Sequence, residues 1–184
     1  NMENFEIYRT EDSPILAELH DLLGFVPNVF AVLGENQQAL QAFANMNGFF
    51  AESHLSPIEQ EIVQTATSVM NHCGYCVAGH TAFAEMRKLE TDPIQAIRNR
   101  EPIEDEKLEA LRCFVEAIVE TKGRNAHAEL MRFKAAGYDH HQVFDVILGV
   151  TMKMFSNLIS GVTDIPLDKP FVPFEWAPRS AVAA

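Results

Sequence analysis

The sequence is short of cysteine, of positive charge and of long apolar runs. Only 3 of its 184 residues are cysteines, an odd count and a poor framework for a disulfide-stapled secreted fold. Lys and Arg number 14 against 26 Asp and Glu, for a formal net charge of −12. That balance repels phosphate backbones and argues against a nucleic-acid partner. No apolar run approaches the roughly 20 residues that span a bilayer, so no membrane partner is expected. No basic segment followed by an apolar one marks a secretion signal, and the expected compartment is the reducing cytoplasm. Strand-like alternation is nearly absent, as are internal repeats and low-complexity tracts. Asn1 ahead of Met2 reads as a residue left by expression and is set aside.

Helical periodicity is what remains, in a chain 47% apolar and 22% charged. This is ordinary globular composition, long enough to bury a core, and one all-α domain over 1–184 is expected. Within it, 2–54 should hold N-terminal helices, 55–90 the core helices, 91–165 the C-terminal helices and 166–184 an extended tail. Ser13-Pro14 reads as a helix start, with Ile15, Leu16, Leu19, Leu22 and Leu23 inward and Gly24 as the stop. Ser56-Pro57-Ile58-Glu59 is a capping box with proline at the first helical position, opening a helix to about Met70. Residues 71–74 read as a break, followed by a helix from about Cys73 to Leu89. Further helices are expected over 92–99, 104–122, 125–135 and 139–160. The last of these is apolar on more than one stripe, as in a helix buried on two sides. Pro170, Pro173 and Pro178 rule out a continuing helix in the tail, which should lie over the surface or a neighbouring subunit.

The chemistry-bearing stretch is Cys73-Gly74-Tyr75-Cys76-Val77-Ala78-Gly79-His80. On a helix, positions i, i+3 and i+7 share a face, so Cys73, Cys76 and His80 fall on one stripe. Helical i, i+3 Cα atoms lie roughly 5 Å apart, within reach of a disulfide. Cys73 falls near the helix N-terminus, where free N–H groups favour a thiolate. His80 is placed to move a proton, and Gly79 leaves room beside it. Glu61, on the preceding helix among apolar neighbours, can orient His80 or accept a proton from Cys73 if the two helices pack antiparallel. A structural disulfide, or zinc held with His80 and Glu61, are the competing readings, and a lone CxxC fits closed zinc patterns poorly. Val77 stands where haem attachment needs a histidine. No metal and no cofactor are expected. Cys113, beside Leu111, Phe114 and Val115, reads as a buried structural thiol. His72, His127, His140 and His141 read as exposed, with His72 a possible secondary contributor to the site.

Leu55-Ser56-Pro57-x-Glu59-x-Glu61-Ile62-Val63, followed by Ser68-x-x-Asn71-x-Cys73-x-Tyr75-Cys76-x-x-x-His80, resembles the alkylhydroperoxidase AhpD-like branch of the carboxymuconolactone decarboxylase superfamily. The likeness is greatest to its peroxidase-related subgroup. Gly24-Phe25-Val26-Pro27-Asn28, Ala136-Gly137-Tyr138 and Asn157 resemble flanking parts of the same pattern. The resemblance implies an antiparallel helical bundle, a homo-oligomer (trimer, hexamer or dimer) and a peroxidase cycle. In that cycle Cys76 attacks a hydroperoxide and Cys73 resolves it to a disulfide. Glu61 and His80 relay protons, and an external dithiol, lipoyl or thioredoxin-like, reduces the disulfide. Spacing alone leaves open which cysteine attacks, since the helix terminus favours Cys73. The best-known AhpD pattern has a second histidine between the cysteines, where this chain has Tyr75, a possible secondary contributor that changes the detail of the relay. A decarboxylase-like enzyme and a non-catalytic redox sensor or interaction protein are the alternatives.

Overall fold

The computed structural model describes residues 5–178, which are helical with no strand among them. In chain order the α-helices are α1 (Pro14–Leu23), α2 (Asn28–Ala31), α3 (Gln37–Ala51), α4 (Pro57–Met70), α5 (Gly74–Met86), α6 (Asp92–Asn99), α7 (Glu106–Thr121), α8 (His127–Ala135) and α9 (His140–Thr163). Three 3-10 turns, Thr10–Asp12, Val32–Glu35 and Lys169–Phe174, complete the set. Residues 1–4, Asn1 among them, and the end of the expected tail, 179–184, lie outside the described residues.

The helix ends follow from local chemistry. Ser56 Oγ accepts the Glu59 N–H at 3.4 Å while Glu59 returns a carboxylate to the Ser56 N–H at 2.7 Å, closing the box read from the sequence. Asp139 and Gln142 make the same reciprocal cap at α9. α1 stops at Gly24 in the left-handed region (φ 80°), and Lys122 and Gly123 end α7 in that region.

α4 is the centre of the bundle. Every residue from Glu59 to Val69 is buried, under α5, α6, α7 and α9. Ile62, Val63, Ala66 and Val69 supply the apolar core contacts. Several polar side chains of the helix are satisfied internally, the hydroxyl of Thr65 being left without a partner among the described residues: Gln60 donates to the carbonyls of Phe50, Ala51 and Leu55, each at 3.2 Å. Thr67 and Ser68 bond back to Val63 and Gln64.

Three expectations need correction. Leu22 points outward, 78% exposed, because α1 covers the bundle with Leu16 while Leu22 rims a cleft. The chain after Pro166 is part of the fold rather than a surface tail. It forms the 3-10 turn Lys169–Phe174, with Pro173 inside it, and buries Phe171 against α5. A 3-10 turn accommodates prolines that an α-helix would reject, since fewer N–H groups are needed. Finally, α9 is by length and composition apolar enough to cross a membrane. Here it packs on α3, α4, α5 and α7 and turns Lys153, Ser156 and Asn157 into the protein.

The junction of α3, α4 and α9 depends on Gly149. A Cβ there would lie 2.5 Å from Phe50 Cε2 and 2.8 Å from Val63 Cγ1. Alanine improves helix propensity by about 1 kcal/mol, but the overpacking acts on two neighbouring helices at once. We expect Gly149→Ala to lower unfolding free energy by about 1–2 kcal/mol net, read from urea denaturation. A more stable variant would show that this junction has slack.

Candidate functional site

The dithiol lies at the turn between α4 and α5. His72 takes a left-handed conformation (φ 56°) and swings the chain round, so that Cys73 becomes the N-cap of α5. Its sulfur accepts the backbone N–H of Cys76 at 3.3 Å. Both thiols are free and buried, Cys73 8% and Cys76 4% exposed. Hydrogen bonding from the Cys76 thiol, and also from the Cys76 N–H and the Ser160 hydroxyl, with the nearby Lys153 charge, lowers Cys73 to about 6 against the opposing effect of burial. Cys76 is pushed the other way, by burial first and then by its bond and proximity to Cys73. The Cys76 sulfur lies 3.8 Å from Ser156 Oγ. The Ser156 proton is given to the Lys153 carbonyl at 3.0 Å, which leaves the hydroxyl oxygen free to accept from the thiol.

α4 and α5 bring Glu61 to His80. His80 Nδ1 is 2.7 Å from Glu61 Oε2, and Arg87 Nη1 donates to Glu61 Oε1 at 3.1 Å. His80 and Arg87 are seven residues apart on α5, one face of the helix, so a single carboxylate serves both. Burial, with the Lys153 charge, lowers His80 below its ordinary value despite the Glu61 carboxylate. A neutral His80 that donates through Nδ1 keeps Nε2 as its basic nitrogen.

A chamber of about 50 Å³ opens among Cys76, Gly79, His80, Ser156, Lys153 and Phe171. Beside it runs a cleft of about 460 Å³ walled by Leu19, Leu22, Leu23 and Phe50 and reaching Glu61 and Arg87. Phe30, Asn47, His80 and Phe83 border both spaces. Cys76 lines the chamber, and Cys73 lines neither space.

The structure thus gathers Glu61, Cys76 and His80, with Cys73 behind them. Glu61 meets His80 and not Cys73. Tyr75 borders the chamber, but its hydroxyl is tied up: it donates to Asp168 at 2.5 Å and accepts the Val29 N–H at 3.1 Å. Burial and the Asp168 charge hold it protonated. His72 is exposed and accepts from Arg100 at 3.0 Å, outside the chamber. The space beside Gly79 is not vacant: the Phe171 ring fills it, 3.0 Å from where a Cβ would stand. Cys113 is half-buried rather than buried, because it sits on the edge of α7 and donates to Glu109 at 3.4 Å. His127, His140 and His141 are exposed.

Sequence reasoning missed Lys153 and Ser156. A signal existed: Lys153, Ser156 and Asn157 share one face of an otherwise apolar helix, at i, i+3 and i+4. Asn157 links that face to α4, donating to Ser68 Oγ at 3.2 Å and accepting from Asn71 at 2.9 Å.

Residues 35–116 match the carboxymuconolactone decarboxylase family. The match covers the central part of the chain, and the wider likeness, to AhpD-like structures, is one of fold. The matched segment carries Glu61, Cys73, Cys76 and His80, and ends before Lys153 and the 3-10 turn that covers α5. Similar solved structures span nearly the whole chain. An uncharacterized peroxidase-related protein with an AhpD core, from Ralstonia eutropha JMP134, superposes with a TM-score of 0.79 at 21% identity, over 89% of this chain and 88% of that one. The debrominase Bmp8 gives 0.79 at 15% identity, over 94% and 96%. A peroxidase-related protein from Silicibacter sp. TM1040 gives 0.73 at 19%, over 90% and 89%. At these identities the likeness establishes the fold. No curated protein matches the sequence.

Because Cys73 is held near 6, it is mostly thiolate at neutral pH, while Cys113 is pushed up to about 11 by burial and the Glu109 charge. Iodoacetamide labelling of the reduced protein at pH 7, read by peptide mass spectrometry, should therefore mark Cys73 well ahead of Cys113. Its rate should fall as pH drops through about 6. Preferential labelling of Cys113 would contradict the capped-thiolate geometry.

Proposed function

We propose that the protein is a thiol-dependent peroxidase that reduces hydrogen peroxide or small alkyl hydroperoxides through a Cys73/Cys76 dithiol–disulfide cycle. The observation that carries this reading is the chamber, in which the Cys76 thiol and the His80 imidazole meet while Cys73 waits behind as a capped thiolate. His80 Nε2 takes the Cys76 proton, with Glu61 holding the ring from the other side. The Cys76 thiolate attacks the distal peroxide oxygen, an S–O bond forms and the O–O bond breaks. The departing alkoxide takes the proton back from His80 and leaves as the alcohol. The Cys73 thiolate then attacks the sulfenyl sulfur, closing the disulfide and expelling hydroxide, which is protonated to water. An external dithiol, lipoyl or thioredoxin-like, returns both thiols to the reduced state. No metal or cofactor takes part in this cycle.

The same reading includes a homo-oligomer in the cytoplasm, without nucleic-acid or membrane partners. Phe144, Ile147, Leu158 and Val162 are exposed along α9, an apolar stripe suited to a second copy.

A second reading is favoured by one observation. The cleft beside the chamber is walled by leucines and phenylalanines, which fits an apolar ring, and a variant of Bmp8 has been captured with 2,3,4-tribromopyrrole. Reductive dehalogenation of such a ring would use the same two thiols as electron donors and release halide.

Peroxide consumption with excess dithiothreitol decides between them. Wild-type turnover that Cys76→Ser abolishes, with two thiols lost together on oxidation, is the expected outcome. His80→Asn should reduce turnover about 10²-fold or more, the usual span for a lost general acid–base group. Full activity in Cys76→Ser would remove the peroxidase reading. Halide release without peroxide turnover would replace it with the second. Thiols that oxidise without turnover would leave a redox sensor.

A further inference from the structure

α9 carries a lysine where a helix of this kind should carry an apolar residue. Lys153 is 5% exposed, and its Nζ has no hydrogen-bond or ion-pair partner among the described residues. Burying most of a charged side chain costs free energy, so this residue is a poor choice for packing α9 on α4. Its side chain borders the same small chamber as Cys76, His80, Ser156 and Phe171. Titratable groups face it from two elements: Glu61 from α4, and Cys73, Cys76 and His80 from α5, with Arg87 beyond Glu61. Phe30 of α2, Asn47 of α3 and Phe171 bring no charge.

We propose that Lys153 is a catalytic residue of the dithiol site, the counter-ion that holds the Cys76 sulfur as a thiolate at the moment of attack. The proposal deepens the peroxidase reading and rests on it for the identity of the attacked molecule. Cys76 is the deeper sulfur, and Cys73 beside it carries negative charge, so the Cys76 thiolate needs a cation within the protein. Arg87 is committed to Glu61 on the far side of His80, which leaves the amine of Lys153. The interaction is reciprocal: burial drives the lysine toward the neutral form, while Cys76, Glu61 and Cys73 favour its charge. The proton balance of the cycle is unchanged. The thiol proton passes to His80 and from there to the alkoxide, and Lys153 supplies field rather than a proton. As the negative charge moves from sulfur to the leaving oxygen, it stays within the chamber that Lys153 borders.

The test uses a full-length chain with Cys73→Ser and Cys113→Ser, in which Cys76 is the last of the three thiols. Thiolate absorbance at 240 nm is followed against pH, with no peroxide or reductant present. Adding Lys153→Met should raise the Cys76 midpoint by a pH unit or more, a tenfold loss of thiolate at any pH below it. The thermal midpoint of unfolding should be unchanged or higher, because an isosteric apolar side chain replaces a buried cation. Lys153→Gln should give the same shift. An unmoved or lowered Cys76 midpoint in either folded variant overturns the proposal. A chain that cannot fold with Met or Gln at 153 also overturns it, since the amine would then be holding the bundle together. The outcome is independent of turnover: a failed peroxide assay with the shift intact removes the peroxidase reading and keeps the Lys153–Cys76 pair.

Discussion

The rest of the site depends on the burial of one carboxylate. Glu61 lies in the middle of a helix that is enclosed along eleven consecutive residues, Glu59 to Val69, where an unpaired charge would be untenable. The fold meets this demand by laying α5 against α4, so that His80 and Arg87 each take one carboxylate oxygen. Once α5 is fixed in rotation by that contact, the position of Cys76 one turn before His80 follows. The dithiol is placed at the mouth of the helix with no freedom to drift. Electrostatics here sets geometry first and reactivity second.

The two cysteines are chemically unequal although they differ by a single helical turn. Cys73 is a cap, its sulfur among hydrogen-bond donors at the end of a helix. Cys76 is inside the helix, against a serine whose own proton is spent elsewhere. Asymmetry of this kind gives the two sulfurs opposite acidities, Cys73 lowered and Cys76 raised.

Much of this was legible in the sequence because it is local. Helix starts at Ser56 and Asp139, the stops at Gly24 and Gly137 and the break at 71–73 depend on chemistry within four residues. The Glu61–His80 pairing needed one tertiary inference, that consecutive helices pack antiparallel, and the CxxC spacing made the search short. What escaped depends on contacts between distant parts of the chain. Lys153 and Ser156 are ordinary residues until α9 is laid beside α5. Phe171 was hidden because prolines mark the end of an α-helix but do not say whether the following segment is surface or lid. Cys113 was placed too deep, since apolar neighbours in sequence do not show which edge of a helix a residue occupies. The tyrosine between the cysteines looked like a change to the proton relay and proved to be a tether to Asp168.

That tether has a consequence for how the site comes into being. Asp168 accepts from Tyr75 and from the Asn28 backbone, Arg98 grips the carbonyls of Phe174 and Glu175, and Phe171 roofs the chamber over Gly79. In chain order the dithiol comes about 90 residues before the segment 168–175. The helices that hold Cys73 and Cys76 can pair, but the thiols remain open to solvent and to oxidants until residues 168–175 have been made and docked. The burial of the two cysteines is therefore completed only when the C-terminal turn docks on α5.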